Sequence, residues 1–185
     1  MLDLIIKNGE CYIDHKLTKT NIGIQNGKIT KIGDLDGEQS KETVDATNLM
    51  VLPGCMDTQV HFREPGSTNA EDLHTGSKAA IAGGITSVFE MPNTNPPTAN
   101  MKEFNNKLNL AKNRMYSNYA FYFGATPDNS SDLANLKGLD GCCGVKLFAG
   151  SSTGNLLVDK EEDIEKVFQN TSKIVAVDSE DEEII

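Results

Sequence analysis

The sequence predicts an α/β protein built on part of a (β/α)8 barrel of the TIM type, with about four β/α units and a fifth strand. Two observations predict this fold class. After Gly54, short β-prone runs alternate repeatedly with helical patterns, which is typical of parallel β/α units. The same region contains neither a dinucleotide-binding glycine fingerprint nor a phosphate loop, so a nucleotide-binding sheet is not indicated.

The first 52 residues have a different pattern and predict a small β structure. The runs "LIIKNGECYI" and "IGIQNGKITKIG" each place Asn-Gly between β-prone residues, which predicts a hairpin turn in each. A further extended segment, "ETVDATNLMVLPG", ends at Pro53-Gly54. We therefore divide the chain into an N-terminal β domain, residues 1–52, and a barrel domain, residues 53–185.

The barrel domain shows five strand patterns and four helical patterns. The strands are predicted at residues 55–61, 85–92, 118–126, 142–150 and 173–180, and the helices near 71–82, 99–116, 132–136 and 159–170. Thr98 is predicted to cap the second helix, and Asp159 with Glu162 to form a capping box on the fourth. Another helix is expected to begin within "DEEII". Because a closed barrel takes about 250 residues, we expect the chain to be a barrel fragment.

The composition argues against nucleic-acid binding and against a membrane span. The net charge is −10, from 17 basic and 27 acidic residues, so no basic footprint for nucleic acid is visible. No apolar run approaches the roughly 18 residues of a membrane span, and the N-terminus lacks a signal-peptide pattern. The four cysteines lack CxxC spacing, which indicates reduced thiols in a cytoplasmic protein.

Polar side chains stand where four of the predicted strands end. His61 and Arg63 end the first strand, Asn93 follows the second, Lys146 lies in the fourth, and Asp178 ends the fifth. The carboxyl ends of barrel strands meet at one face, where active sites are built. We therefore expect these five side chains to surround one site.

The stretch "DTQVHFREPG" strengthens this expectation. Asp57, Gln59, His61 and Arg63 fall at every second position, so on a strand they would share one face. Three of them suit a metal or anion site. Gln59 does not, because a neutral amide is a poor zinc ligand and its oxygen suits harder ions.

Plainer interpretations remain open for three of these residues. His61 could be a structural histidine, and Arg63 could pair with Glu64 or Glu71. Asn93 could serve only as a turn residue within "MPNTNPP".

Four segments, in order along the chain, carry a family resemblance: "LPGCMDTQVHFREPG", "EMPNTNPP", "GVKLFAGSSTGN" and "AVDSEDEE". Together they resemble the dihydroorotases, metal-dependent cyclic amidohydrolases of the amidohydrolase superfamily. The resemblance implies that the early strands are part of a small β-sandwich beside the barrel. It also implies zinc, as one or two ions, and a metal-activated hydroxide that reversibly hydrolyses L-dihydroorotate to N-carbamoyl-L-aspartate in pyrimidine biosynthesis.

The resemblance assigns roles to the residues at the strand ends. His61 becomes a metal ligand, and Lys146 becomes the catalytic, carboxylated lysine that bridges the metals. Arg63 and Asn93 become the pair that binds the substrate carboxylate, since a guanidinium fork suits a carboxylate. Asp57 would orient a ligand histidine.

Two positions depart from the family pattern. Gln59 and Asp178 stand where the family has ligand histidines, which makes metal binding by these two residues doubtful. One ligand of a four-ligand zinc site is worth very crudely ~3 kcal/mol, or about a hundredfold in affinity. We therefore expect the chain as given to be inactive.

Two further hypotheses belong to other classes. Some proteins that resemble dihydroorotase lack metal ligands and serve as structural partners of aspartate transcarbamoylase, and a homodimer is also compatible with the sequence. The chain could alternatively be a degenerate fragment without independent function, with exposed strand edges that favour aggregation.

Overall fold

A computed structural model of the protein describes residues 1–181 and 184. The chain forms two compact units, Met1–Pro53 and Gly54–Ile185. Within the part of the chain that is described, no helix is long and apolar enough to cross a membrane. All four cysteines are free thiols, and Cys55 is the exposed one among them.

The first unit is a five-stranded sheet. Its strands are β1 (Leu2–Ile13), β2 (Lys16–Gln25), β3 (Lys28–Gly33), β4 (Ser40–Asp45) and β5 (Met50–Val51). The order is β3-β2-β1-β4, and β5 also pairs with β1. The β1–β2 and β2–β3 pairs are antiparallel, whereas β4 and β5 run parallel to β1. The described residues of this unit thus form one sheet, and the β-sandwich that the resemblance implies stays a prediction.

The second predicted Asn-Gly hairpin is confirmed. Asn26 and Gly27 connect β2 to β3 with φ angles of 52° and 70°. These positive φ values are what a two-residue hairpin turn requires, and Asn and Gly adopt them readily.

The first predicted Asn-Gly hairpin is wrong. Asn8 and Gly9 lie inside β1, where the pairing with β2 is irregular. The turn between β1 and β2 is instead made by Asp14 and His15, with φ angles of 49° and 63°. Gly9 is needed for close packing, because a Cβ there would lie 2.6 Å from the side chain of Val51. The Asn-Gly pair therefore marks a bulge, where a strand also requires positive φ.

The second unit alternates strands and helices as predicted. Its strands are β6 (Cys55–Val60), β7 (Ile85–Glu90), β8 (Asn118–Gly124), β9 (Cys142–Phe148) and β10 (Val175–Asp178). Its helices are α1 (Leu73–Ala82), α2 (Met101–Ala111), α3 (Ser130–Leu133), followed by a 3-10 turn at Ala134–Leu136, and α4 (Glu161–Asn170).

The five strands of this unit lie side by side in chain order and are all parallel. A doubly wound sheet would instead reverse its strand order at a switch point. The predicted partial barrel is therefore confirmed. Its core is a cluster of buried side chains from strands and helices, among them Phe104, Phe121, Phe123 and Leu147.

The start of α2 differs from the prediction. Asn100, not Thr98, is the N-cap, and its side chain accepts a hydrogen bond from the backbone nitrogen of Glu103 at 2.9 Å. Thr98 is fully buried, and its hydroxyl lies 3.2 Å from that of Thr94. Thr and Asn are both good N-cap residues, so the sequence does not distinguish Thr98 from Asn100. The path of the loop decides which of them caps α2.

The capping box predicted for α4 is also wrong. The N-cap of α4 is Lys160, which makes no side-chain cap hydrogen bond. A capping box occurs instead at α1, where Asp72 and Thr75 bond reciprocally. The helix expected within "DEEII" falls mostly on residues outside those described.

Candidate functional site

Five predicted side chains lie at the carboxyl ends of the parallel strands. His61 comes directly after β6, and Asn93 comes three residues after β7. Lys146 is two residues from the end of β9, and Asp178 is the last residue of β10. Arg63 follows in the loop after β6. Because parallel strands place their carboxyl ends at one edge, this edge is the candidate site.

His61 and Asn93 are in direct contact. The Nδ1 atom of His61 lies 3.0 Å from the Oδ1 atom of Asn93. An amide oxygen only accepts, so Nδ1 carries the hydrogen and Nε2 keeps its lone pair. Burial lowers the pKa of the half-buried His61 imidazole, and the charge of Arg63 lowers it further, against the opposing effects of Asn93 and Asp178. Both the burial and the charge of Arg63 favour the neutral form of the imidazole.

Lys146 and Asp178 form an ion pair across adjacent strands. The Nζ atom of Lys146 donates to Oδ1 of Asp178. The lysine side chain is 2% exposed and that of Asp178 is 36% exposed. The Nζ atom also lies 5.1 Å from the centre of the Phe148 ring, within cation–π range. The pairing explains how a lysine is accommodated inside an apolar strand.

Arg63 faces an open hollow that it shares with His61. A space of about 490 Å³ is bordered by His61, Arg63, Asn93 and Asp178. A second space of about 320 Å³ is bordered by Arg63 and Asn93 and by Thr153. The two residues assigned to a substrate carboxylate thus border both spaces, and His61 and Asp178 border the larger one.

The backbone of Arg63 is unusual, and its side chain is not held by a described acid. Its φ angle is +62°, a left-handed conformation that is uncommon for a non-glycine residue and clusters at functional sites. Glu64, the expected alternative partner, binds Arg114 bidentately at 2.8 and 3.1 Å. Among described residues, Arg63 forms no ion pair, so its charge faces the hollow.

Asp57 and Gln59 are placed differently from the other predicted residues. Strand β6 ends at Val60, and its pairing with β7 gains a residue between Asp57 and Val60. Strict alternation therefore does not extend from Asp57 to Arg63. The Oδ1 atom of Asp57 accepts from the backbone nitrogen of Gln59 at 2.9 Å. Gln59 is exposed and is not among the residues that border either space.

The loop after β9 was missed by the sequence analysis. Its "GSSTGN" segment belongs to a motif of the family resemblance, but none of its residues was assigned to the site. Ser152 and Thr153 border the larger space, and Thr153 and Gly154 border the smaller one. The signal was present in the sequence, because this segment follows a barrel strand as the other site residues do.

The described residues do not by themselves fit a zinc site. No three His, Cys, Asp or Glu side chains among them are grouped so that they could hold a metal ion. Two possible donors border the larger space, Nε2 of His61 and the carboxylate of Asp178, and Lys146 pairs with that carboxylate. Zinc sites in proteins take three or four such ligands. We therefore derive no chemical step through a metal.

Comparison with known proteins adds the family context. Residues 50–176 match the sequence profile of the amidohydrolase family. The chain is 39% identical over 188 residues to dihydroorotase of Methanosarcina mazei, covering 100% of this chain and 41% of that protein. It is 38% identical over 148 residues to allantoinase of Desulfitobacterium hafniense, covering 80% of this chain and 33% of that protein.

A solved structure agrees with the observed fold. L-Hydantoinase (dihydropyrimidinase) from Arthrobacter aurescens matches with a TM-score of 0.92 at 28% identity, covering 100% of this chain and 42% of that chain. The chain thus spans about two fifths of the length of these relatives.

Proposed function

The chain belongs to the amidohydrolase family, and we propose that it provides the carboxylate-binding part of a dihydroorotase-type site. The reaction of such a site is the reversible hydrolysis of L-dihydroorotate to N-carbamoyl-L-aspartate. The dihydroorotase of Methanosarcina mazei, which aligns over the whole chain, supports this choice.

The observation that carries the proposal is the position of Arg63 beside Asn93 at one hollow. A guanidinium group without a described acidic partner selects an anionic ligand, and its fork suits a carboxylate. Dihydroorotate carries a carboxylate, whereas the ring of a simple hydantoin does not. The arginine therefore favours the dihydroorotase-type substrate over uncharged cyclic amides.

Asn93 contributes to the same binding in two ways. Its Oδ1 atom holds the Nδ1–H of His61 at 3.0 Å, and its NH2 group is left to donate toward a ligand. The Asn93 side chain thereby both orients the imidazole and binds the carboxylate of the ligand. The neutral Nε2 atom of His61 remains an acceptor within the hollow.

For the chain as given we propose binding without turnover. The ligand set for zinc is incomplete in the described residues, and Lys146 is paired with Asp178. Carboxylation of Lys146 would need that amine released from the carboxylate. Metal-activated hydroxide chemistry, if it occurs in a protein that contains this chain, requires further ligands.

The binding proposal can be tested with two matched ligands. Calorimetric titration with L-dihydroorotate and with dihydrouracil, which lacks only the carboxylate, compares the anionic and neutral rings directly. We expect Arg63→Met to weaken L-dihydroorotate binding at least tenfold and to leave dihydrouracil unchanged. The variant Lys102→Met removes a charge from an exposed side chain and serves as the control. Equal affinity of the two ligands for the unmodified chain would refute the proposal.

A second candidate function is a structural role as a non-catalytic partner of aspartate transcarbamoylase. The Lys146–Asp178 ion pair and the exposed Gln59 favour it, since the resemblance assigns metal-ligand positions to these residues and neither arrangement is that of a free ligand. Size-exclusion chromatography of the two proteins mixed would test it. An unshifted elution volume at micromolar concentration would count against this role.

A further inference from the structure

A second ion pair lies completely buried beneath the candidate site. Glu90, the last residue of β7, pairs with Lys107 in α2, and their side chains are 1% and 0% exposed. The Nζ atom of Lys107 also lies 5.2 Å from the centre of the Phe121 ring. Burying two charges is costly, and apolar residues often replace such pairs without loss of stability. Stability alone therefore does not account for the Glu90–Lys107 ion pair.

The pair contacts the backbone on both sides of the site. The Nζ atom of Lys107 donates to the backbone oxygen of Met91 at 2.8 Å. The backbone N–H of Phe62 lies near the carboxyl group of Glu90 and lowers the pKa of that group. Between these contacts, the backbone nitrogen of Met91 donates to the oxygen of Val60 at 3.0 Å. The ends of β6 and β7 are thus joined to one another and to the ion pair.

These backbone positions adjoin the side chains that border the hollow. Phe62 stands between His61 and Arg63, and Met91 is two residues before Asn93. The 3.0 Å contact between His61 and Asn93 joins the same two strand ends. Its length therefore depends on how the two backbones are held.

We propose that the Glu90–Lys107 ion pair is a positioning device that fixes the ends of β6 and β7 relative to each other. Through these backbones it aligns the imidazole, the guanidinium and the amide of the hollow. Its effect on ligand affinity rests on the proposed carboxylate-binding function, whereas its effect on the His61–Asn93 contact does not. Misplacement of a binding group by about 1 Å can cost a hundredfold in activity, so a small backbone shift would be measurable.

A purely structural role of the Glu90–Lys107 ion pair predicts a different result from a positioning role, and one double variant distinguishes the two. The double variant Glu90→Leu/Lys107→Met replaces the pair by apolar side chains of similar size, so stability should be largely kept. It nevertheless removes the hydrogen bond to the backbone oxygen of Met91 and the polar contact of Glu90 with the backbone N–H of Phe62. A structural role leaves the site unchanged in this variant, whereas a positioning role disturbs it.

The decisive readout is the imidazole of His61 in ¹⁵N NMR spectra of the full chain. The protein has three histidines, so single substitutions assign the signals. In the unmodified chain we expect a protected Nδ1–H signal for His61. In the double variant we expect its loss, with a melting temperature within a few degrees of the original. The exposed pair substituted as Lys31→Met/Glu38→Leu is the matched control and should change neither.

Ligand affinity gives an independent result. We expect the double variant to bind L-dihydroorotate at least fivefold more weakly, and Glu90→Gln, which keeps an acceptor for the Phe62 N–H, to retain most of the affinity. If the unmodified chain does not bind the ligand, the proposed function fails while the NMR comparison still decides the positioning role. A folded double variant with an unchanged His61 signal overturns the inference. If the double variant does not fold, Glu90→Met/Lys107→Leu, which removes the same two polar groups, is used, and an unchanged signal there has the same meaning.

Discussion

His61 and Asn93 are 32 positions apart in the sequence, yet their side chains meet at 3.0 Å between Nδ1 and Oδ1. The contact bridges two parallel strand ends and selects one tautomer of the imidazole. It also makes the loop "MPNTNPP" part of the candidate site and not merely a turn, because Asn93 borders the same hollow as Arg63.

Replacing the amide by a carboxylate should reverse the shift of the histidine pKa. Burial lowers the pKa of His61 in the present structure. In Asn93→Asp, a negative charge beside the ring favours the imidazolium, so we expect the pKa to rise above that of the unmodified chain. NMR titration of the ring signals measures it, with Asn93→Leu as the uncharged comparison. A pKa in Asn93→Asp equal to that in the unmodified chain would contradict the contact.

The two members of the Lys146–Asp178 pair should be unequal in their effect on stability. Asp178→Asn leaves a cation that is 2% exposed without its counter-charge, and we expect a loss of about 3 kcal/mol in unfolding free energy. Lys146→Met should cost clearly less, because the 36% exposed Asp178 side chain can be hydrated. Urea denaturation of the two variants provides the comparison. Equal losses would mean that the pair is not buried asymmetrically.

Histidines at the two altered ligand positions should create zinc affinity. The variant Gln59→His/Asp178→His would add one imidazole in β6 and one at the end of β10, and with His61 these supply the three imidazoles that can hold zinc. We expect about one zinc ion per chain after dialysis, against a background level for the unmodified protein, by elemental mass spectrometry. The same variant with His61→Ala should lose the metal. Unchanged zinc content would refute the assignment of these positions.

The buried Glu90 should make stability depend on pH in a defined direction. Burial raises the pKa of Glu90 from 4.5 to about 7, against the attraction of Lys107. Between these values the folded state binds more protons than the unfolded state, so this contribution to stability is present at pH 4.5 and is lost as the pH rises through 7. The change amounts to at most about 3 kcal/mol, at 1.36 kcal/mol per pKa unit.

The variant Glu90→Gln isolates that contribution. Its unfolding free energy should improve relative to the unmodified chain as the pH rises from 5 to 8, measured by urea denaturation at each pH. Lys31→Met, which changes an exposed charge, should follow the unmodified chain. A constant difference between Glu90→Gln and the unmodified chain across this range would show that Glu90 does not titrate there.

Much of the fold followed from local sequence patterns. The alternation of β-prone and helical runs predicted the parallel sheet, and the resemblance to dihydroorotases is confirmed by the family profile and by the identity over the whole chain. Asn26-Gly27 forms the predicted turn because the φ requirement is local. Asn8-Gly9 does not form the predicted turn and lies in a bulge instead, because a bulge also requires positive φ.

The partners of the charged residues did not follow from the sequence. Glu64 was one of two alternative partners left open for Arg63, but it binds Arg114, 50 positions away. The glutamate at the end of β7 finds its lysine in α2, and no pattern in either segment predicts the pairing. Such contacts depend on helix packing and on strand register, which local propensity does not encode.

The sequence by itself determined the order of the elements and the edge at which the polar side chains collect, because parallel strands always bring their carboxyl ends together. Only the tertiary structure decided that Lys146 is bound by Asp178, that Gln59 is exposed, and that His61 takes Asn93 as its partner. These outcomes depend on side-chain distances across strands. Differences of a few ångströms decide between an ion pair, a hydrogen bond and a metal ligand, and they are set by the packed core.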